Sequence, residues 1–365
     1  MLSRRGFFAL TTGALGRGLL SSCMPTPQPP SERAVNFGFE DVVTQTSHWD
    51  KTAARLHRAH VNAVAISVGR ADWTAFPWKS YPDAAPDSVV ETGGDYVAEA
   101  IEALRPQMSD KGWLTLTIDT LTPALFESNE ELAGVDPHGQ KDSAFPSVTA
   151  LTSGEVGDRI VELTDEICRR YRPDRVALTE LMFDNSTFGQ DDLASYREHS
   201  GSDDWPRKGD HTIDTSDPSL GAWRSDAVAD LLARVKETAA KYNGVQVEVD
   251  VRASQSDPSR GRPLSGHDYS TLLTEADRIV VWNYFGITDS TPEYGAEIAK
   301  ALEDRHSGRF AISTGLWAEH GIVSGQELRA SLEELAAAGV DAVSVTPASK
   351  MADEHWDVLE QLWKP

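Results

Sequence analysis

Three carboxylates stand at the ends of short β-rich runs: Asp119 closes Leu114-Thr-Leu-Thr-Ile-Asp119, Glu180 closes Arg175-Val-Ala-Leu-Thr-Glu180, and Asp250 lies in Val245-Gln-Val-Glu-Val-Asp-Val-Arg252. Acids held near one another suit glycosidic bond hydrolysis, in which one carboxylic acid protonates the leaving oxygen and another acts as nucleophile or base. Glu180 is the expected general acid, with Asp250 or Asp119 as its partner. Asn283 and Tyr284, at the end of Arg278-Ile-Val-Val-Trp-Asn-Tyr284, would orient a sugar. Arg70, Asp72, Trp73, Trp78, Arg252, Trp282, Trp317 and Glu319 are the remaining expected binding residues, because aromatic faces stack on sugar rings and charged groups bond their hydroxyls. Asp250 and Arg252 could equally form an interior charge pair, and each Trp could be a packing residue.

Other chemistries have little to work with. His57 and His60 are three apart but lack a third ligand, so no metal is expected, and no cofactor motif occurs. There is no Gly-x-Ser-x-Gly elbow. Cys168 sits in a helical stretch and reads as a buried thiol.

The elements that must position these groups are eight β-rich runs. Besides those above they are Ala34–Phe39, Ala63–Val68, Phe310–Thr314 and Ala342–Thr346. Helix-patterned stretches lie around 49–60, 94–107, 155–171, 222–242, 293–305, 325–338 and 353–363. Such alternation predicts parallel βαβ units, and eight of them predict an α/β fold, a (β/α)8 TIM barrel. A doubly wound sheet fits less well, because Phe37-Gly-Phe-Glu-Asp41 holds a single Gly where a phosphate loop would stand. Within the runs, Leu114, Leu116 and Ile118 oppose Thr115, Thr117 and Asp119, so apolar faces should meet the helices and polar faces the barrel axis. In a barrel the active site lies at the C-terminal ends of the strands, where these acids stand.

The N-terminus predicts an address. Ser-Arg-Arg-Gly-Phe-Phe8 resembles the twin-arginine export motif, and Leu20-Ser-Ser-Cys23 resembles the bacterial lipobox. The expected organisation is a signal peptide over 1–22, lipidation at Cys23, a Pro-rich tether over 23–33 and a barrel domain over 34–365. The protein would then be lipid-anchored on the extracytoplasmic face of the cell membrane. The twin-arginine translocase and lipoprotein-processing enzymes would be its partners during export. Formal charge is −23, and removal of Arg4, Arg5 and Arg17 takes it to −26, which argues against nucleic acid and against a membrane contact other than the anchor.

The segment Tyr171-Arg-Pro-Asp-Arg-Val-Ala-Leu-Thr-Glu-Leu-Met-Phe183 is similar to the fourth-strand segment of bacterial family 10-like glycoside hydrolase barrels, with Asp174, Val176, Glu180 and Phe183 at matching positions. Ala222-Trp-Arg-Ser-Asp-Ala-Val228 resembles the Trp-Arg-x-Asp segment opening the next helix of that family. The resemblance implies a TIM barrel acting on a poly- or oligosaccharide outside the cytoplasm. Two positions depart from it: Thr179 stands where the family has the first acid of a pair, and Arg175 where it has Gly. Strand parity adds a condition. If Val176 and Leu178 face outward, Thr179 faces the axis, and Glu180 joins it only where the strand ends or bulges. In the seventh run Ser313-Thr314 occupies the place at which many retaining glycosidases carry a nucleophilic Glu. A non-catalytic glycan-binding lipoprotein is therefore the alternative. A two-lobed solute-binding protein is disfavoured by the uninterrupted alternation.

Overall fold

The computed structural model describes residues 28–364 except 45–48, 109–111, 184 and 289. The expected signal segment, Cys23 and the first part of the tether lie outside the described residues.

Eight parallel strands close on themselves. They are β1 Glu32–Phe37, β2 Ala63–Arg70, β3 Trp113–Asp119, β4 Arg175–Thr179, β5 Gln246–Arg252, β6 Arg278–Asn283, β7 Phe310–Gly315 and β8 Ala342–Thr346. Each pairs with its neighbours in chain order, and β1 closes the ring by pairing Ala34 with both Ala63 and Ser344. The architecture is a (β/α)8 TIM barrel. Strand β1 begins at Glu32, two residues earlier than expected. Arg33 holds this start by donating from Nε to the His60 carbonyl at 2.8 Å and from Nη1 to the Pro30 carbonyl at 2.7 Å.

Among the described residues the outer layer includes α1 Trp49–Arg58, α2 Tyr96–Leu104, α3 Glu155–Tyr171, α4 Pro218–Ala239, α5 Tyr294–His306, α6 Gly325–Ala337 and α7 Asp353–Leu362. Their starts follow local chemistry. Asp217 caps α4 by accepting from Ser219 N at 2.9 Å, with Pro218 at the first helical position. Ser324 and Glu327 form a reciprocal capping box on α6. Between β5 and β6, where the sequence predicted no helix, there is one turn, Tyr269–Leu272, preceded by a small ladder pairing Gly261–Arg262 with His267–Asp268.

Alternation decides which side chains reach the axis. Leu114, Leu116, Ile118, Val247, Val249 and Val251 are wholly buried against the helices. Small residues face the axis instead, among them Ala34, Ala65, Thr115, Ala177 and Ala311. An interior of bulky side chains would fill the barrel; this one stays hollow.

Four charges cross the floor of the barrel. Arg175 makes two bonds to Glu32, at 2.7 and 2.9 Å, and Arg278 makes two more at 3.0 and 2.8 Å. Both arginines also pair with Glu248, at 3.0 and 2.8 Å. The Arg175 guanidinium lies 3.8 Å from the centre of the Trp113 ring. The two positive and two negative charges balance, so burial leaves no net charge inside the barrel.

Candidate active site

Above this floor a cavity of about 670 Å³ opens toward the C-terminal ends of the strands. Asp119, Thr179, Glu180, Asp250, Tyr284, Trp317 and Lys350 all line it. The three candidate acids therefore share one space.

Glu180 enters by a change of backbone. Strand β4 ends at Thr179, and Glu180 has φ +56°, a left-handed conformation unusual for a residue with a side chain. The Thr120 hydroxyl donates to the Glu180 carbonyl at 2.9 Å, and Thr120 N donates to the Thr179 carbonyl at 3.2 Å. These bonds hold the turned segment against the end of β3. Thr179 thus faces the axis as alternation requires, and Glu180 joins it because the strand has ended.

Asp119 and Asp250 flank Glu180 from either side in the barrel order. Burial pushes Asp119 up to about 7; the Leu121 N–H and Arg70 pull it down, while Glu180 and Asp72 push it further up. Leu121 N donates to its Oδ1 at 2.8 Å. Burial also pushes Asp250 up to about 7, opposed by the Thr179 hydroxyl and the Trp282 side chain. Glu180 is raised by burial and pulled back by the Arg252 charge. Burial and mutual repulsion raise all three groups, so the cluster holds its protons to higher pH than free carboxyl groups do.

Tyr284 and Trp317 form one wall of the cavity, and Trp282 backs it without lining it. Trp282 and Tyr284 stack with centroids 5.0 Å apart and planes 7° apart, and Trp317 leans on Tyr284 at 5.1 Å. Gly315 makes room for this wall: a Cβ there would lie 2.4 Å from the Tyr284 ring. Burial and the nearby Asp250 and Glu180 keep the Tyr284 hydroxyl protonated well beyond its ordinary range.

Of the other expected binding residues, Arg70, Asp72, Trp73 and Arg252 all lie outside the cavity lining. Arg70 stands opposite Asp119 across a bulge in β2 and pairs with Asp72 at 2.9 Å. The bulge relies on Gly69, at φ +143°, where a Cβ would strike the Trp73 carbonyl. Asp72 is buried and does not line the cavity; its Oδ2 accepts from Ala124 N at 2.7 Å, so it braces Arg70 and the start of a short helix. Trp73 packs edge-on against Phe39, a cavity residue, at 5.1 Å. Arg252 lies with its guanidinium 5.9 Å from the Trp282 ring.

Three more expectations are corrected by position. Asn283 points outward, wholly buried, and donates to the Ser331 hydroxyl of α6 at 3.0 Å. It alternates with Trp282 and Tyr284 and cannot share their face. Trp78 is buried in the core against Tyr81 rather than exposed on a cleft loop. Glu319 is exposed at the tip of the Trp317–Ala318/Gly321–Ile322 hairpin, outside the cavity lining.

Phe39 and Asn36 were not anticipated, although they line the cavity. Asn36 lay on the axial face of β1 and was legible from alternation; Phe39 lies beyond the strand, where periodicity carries no signal. Among the described residues no group of three or more His, Cys, Asp or Glu is placed to hold a metal, and no helix is long and apolar enough to cross a membrane.

No protein-family model and no curated protein matches this sequence. Solved structures match its fold. The glycoside hydrolase domain of PgaB (BpsB) from Bordetella bronchiseptica superposes with a TM-score of 0.68 at 12% identity, over 92% of this chain and 99% of that one. The catalytic domain of a β-amylase from Paenibacillus polymyxa gives 0.63 at 12% identity, over 93% and 100%. A GH42 β-galactosidase, Gan42B from G. stearothermophilus, gives 0.60 at 11% identity, over 91% and 56%. At such identities the likeness is one of fold: this chain shares the TIM barrel of glycoside hydrolase catalytic domains.

Proposed function

We propose that this protein is an exported, lipid-anchored glycoside hydrolase that cleaves an extracellular or envelope polysaccharide. The observation that carries the reading is the convergence of Asp119, Glu180 and Asp250 on one cavity, beside the Tyr284–Trp317 wall. Glu180 acts as the general acid. It delivers its proton to the glycosidic oxygen as the bond from that oxygen to the anomeric carbon breaks. Asp250 or Asp119, once ionised, attacks the anomeric carbon or takes a proton from the attacking water, and the water's oxygen ends on the new reducing end. The aromatic wall holds the sugar. The twin-arginine and lipobox-like N-terminus supports export in the folded state and anchoring at Cys23.

A second reading, glycan binding without turnover, is favoured by the seventh strand. Ser313 and Thr314 supply no acid there, and Glu319 stands outside the cavity. Both readings are tested by incubating the protein with envelope and extracellular glycans and measuring released reducing ends, with Glu180→Gln as control. Release that depends on Glu180 supports hydrolysis. Binding without release supports the second reading, and release unchanged in the variant removes Glu180 from the chemistry. For the anchor, radiolabelled fatty acid should enter the wild-type chain and not a Cys23→Ser chain.

A further inference from the structure

Beside Glu180 a buried imidazole joins two strand ends. His267 is 1% exposed. Its Nδ1 accepts from the Arg252 backbone N–H at 3.0 Å, and its Nε2 lies 2.7 Å from the Leu181 carbonyl. A nitrogen that accepts carries no proton, and a nitrogen facing a carbonyl must donate. Both bonds therefore require one species, the neutral ring protonated on Nε2.

Each contact falls next to a residue of the site. Leu181 directly follows Glu180, whose left-handed backbone is unfavourable for a side-chain-bearing residue. Arg252 is the cation whose charge acts on the Glu180 carboxyl. The surrounding segment is itself fixed. Tyr269 donates its hydroxyl to the Arg252 carbonyl at 3.1 Å, Phe183 N donates to the Ser265 carbonyl at 3.1 Å, and Asp268 N donates to the Ser225 hydroxyl at 3.2 Å. Residues 265–269 thus grip both peptide groups of Arg252 on one side and the exit of β4 on the other. This segment replaces the full helix that the barrel lacks between β5 and β6.

We propose that His267 is the positioning residue that holds Glu180 and Arg252 at a set separation across the β4–β5 boundary. The proposal deepens the hydrolase reading and rests on Glu180 as its acid. The groups that face Glu180 are Asp119 from β3, Asp250 and Arg252 from β5 and Tyr284 from β6. None of them bonds the Leu181 carbonyl; His267 does.

Two substitutions separate its two bonds. In His267→Asn the side-chain oxygen can replace Nδ1 and keep the Arg252 bond while the Leu181 bond is lost. In His267→Gln the side-chain amide can replace Nε2 and keep the Leu181 bond. The first readout needs no substrate: carboxyl NMR titration of labelled glutamates, with Glu180→Gln identifying the Glu180 signal. The Glu180 midpoint should move by about half a pH unit or more in His267→Asn, and by less in His267→Gln. Midpoints unmoved in both variants overturn the proposal and leave His267 a packing residue. The second readout uses the glycan that the wild type hydrolyses. There kcat should fall about tenfold or more in His267→Asn, with KM within about twofold and partial recovery in His267→Gln. Equal losses in both variants, with the rate–pH profile unshifted, also overturn it. A wild type that releases no sugar from any glycan defeats the hydrolase reading, while the titration still decides the role of His267.

Discussion

Thr179 and Glu180 are consecutive residues, yet both side chains line the same cavity. In a continuing strand they would face opposite ways. The left-handed turn at Glu180 brings the second inward, while the Thr179 hydroxyl faces the Asp250 carboxyl. Glu180 from the end of β4 and Asp250 from β5 thereby share one cavity.

That turn predicts a stability difference. A residue with a Cβ in this conformation costs about 1–2 kcal/mol, and glycine does not. Glu180→Gly should therefore be more stable than Glu180→Ala by about 1 kcal/mol in urea unfolding, since glycine's extra unfolded-state entropy offsets part of the gain. Neither variant should release sugar. An alanine variant as stable as the glycine variant would show that the turn carries no strain.

The floor predicts a loss of stability in acid. The Glu32 carboxyl is lowered to about 2: burial opposes this, and Arg278 and Arg175 overcome it. A carboxyl depressed in the folded state stabilises the fold above its unfolded value, and this contribution disappears as pH falls through the folded one. Wild type should thus lose about 3 kcal/mol between pH 4.5 and pH 2 from this group. Glu32→Gln should lack that part of the slope, and should start lower, because it leaves buried arginine charge uncompensated. Unfolding curves of equal slope in the two proteins would contradict the assignment.

The site predicts the opposite dependence. Asp250 is raised to about 7 by burial, so the folded state holds its proton where the unfolded chain has lost it. Its stabilising contribution is complete below the unfolded value of 3.8 and is lost as pH rises toward and through 7. Asp250→Asn should therefore gain on wild type between pH 4 and pH 8, by about 2–4 kcal/mol at the upper end. Sugar release should rise as Asp250 ionises and fall at higher pH as Glu180 loses its raised proton. Thermal unfolding at both pH values and a rate–pH profile check these outcomes; a gain that does not grow with pH counts against them.

The aromatic wall depends on a missing Cβ. Gly315→Ala places a methyl group 2.4 Å from the Tyr284 ring, closer than contact allows. Tyr284 must then leave its stack on Trp282. Glycan affinity should fall about threefold to tenfold, the worth of one aromatic contact, with little change in the far-ultraviolet circular dichroism. Calorimetric titration with a bound oligosaccharide would measure it, and undiminished affinity would remove the wall from sugar binding.

Much of the scaffold was legible in the residues. The runs 342–346 and 155–171 form β8 and α3 at their expected limits, and the other strands differ from expectation by at most two residues at either end. Period-two alternation placed Asp119 and Asp250 on the axis and Val249 and Ile118 beneath the helices. The same rule, applied to 282–284, would have excluded Asn283. Asp72 and Trp78 were misplaced for another reason: a loop residue's burial depends on what packs over it, as Ala124 and Tyr81 do here.

The sequence alone determined the barrel and the axial faces of its strands, because both follow from short-range periodicity. Tertiary structure alone decided the rest. It brought Glu32 to Arg278, 246 residues away, to seal the floor. It turned Glu180 inward through the end of β4, and it set His267 between Leu181 and Arg252. Such contacts form only when strands distant in the chain close into a ring, and no local pattern of residue types encodes the distance across it.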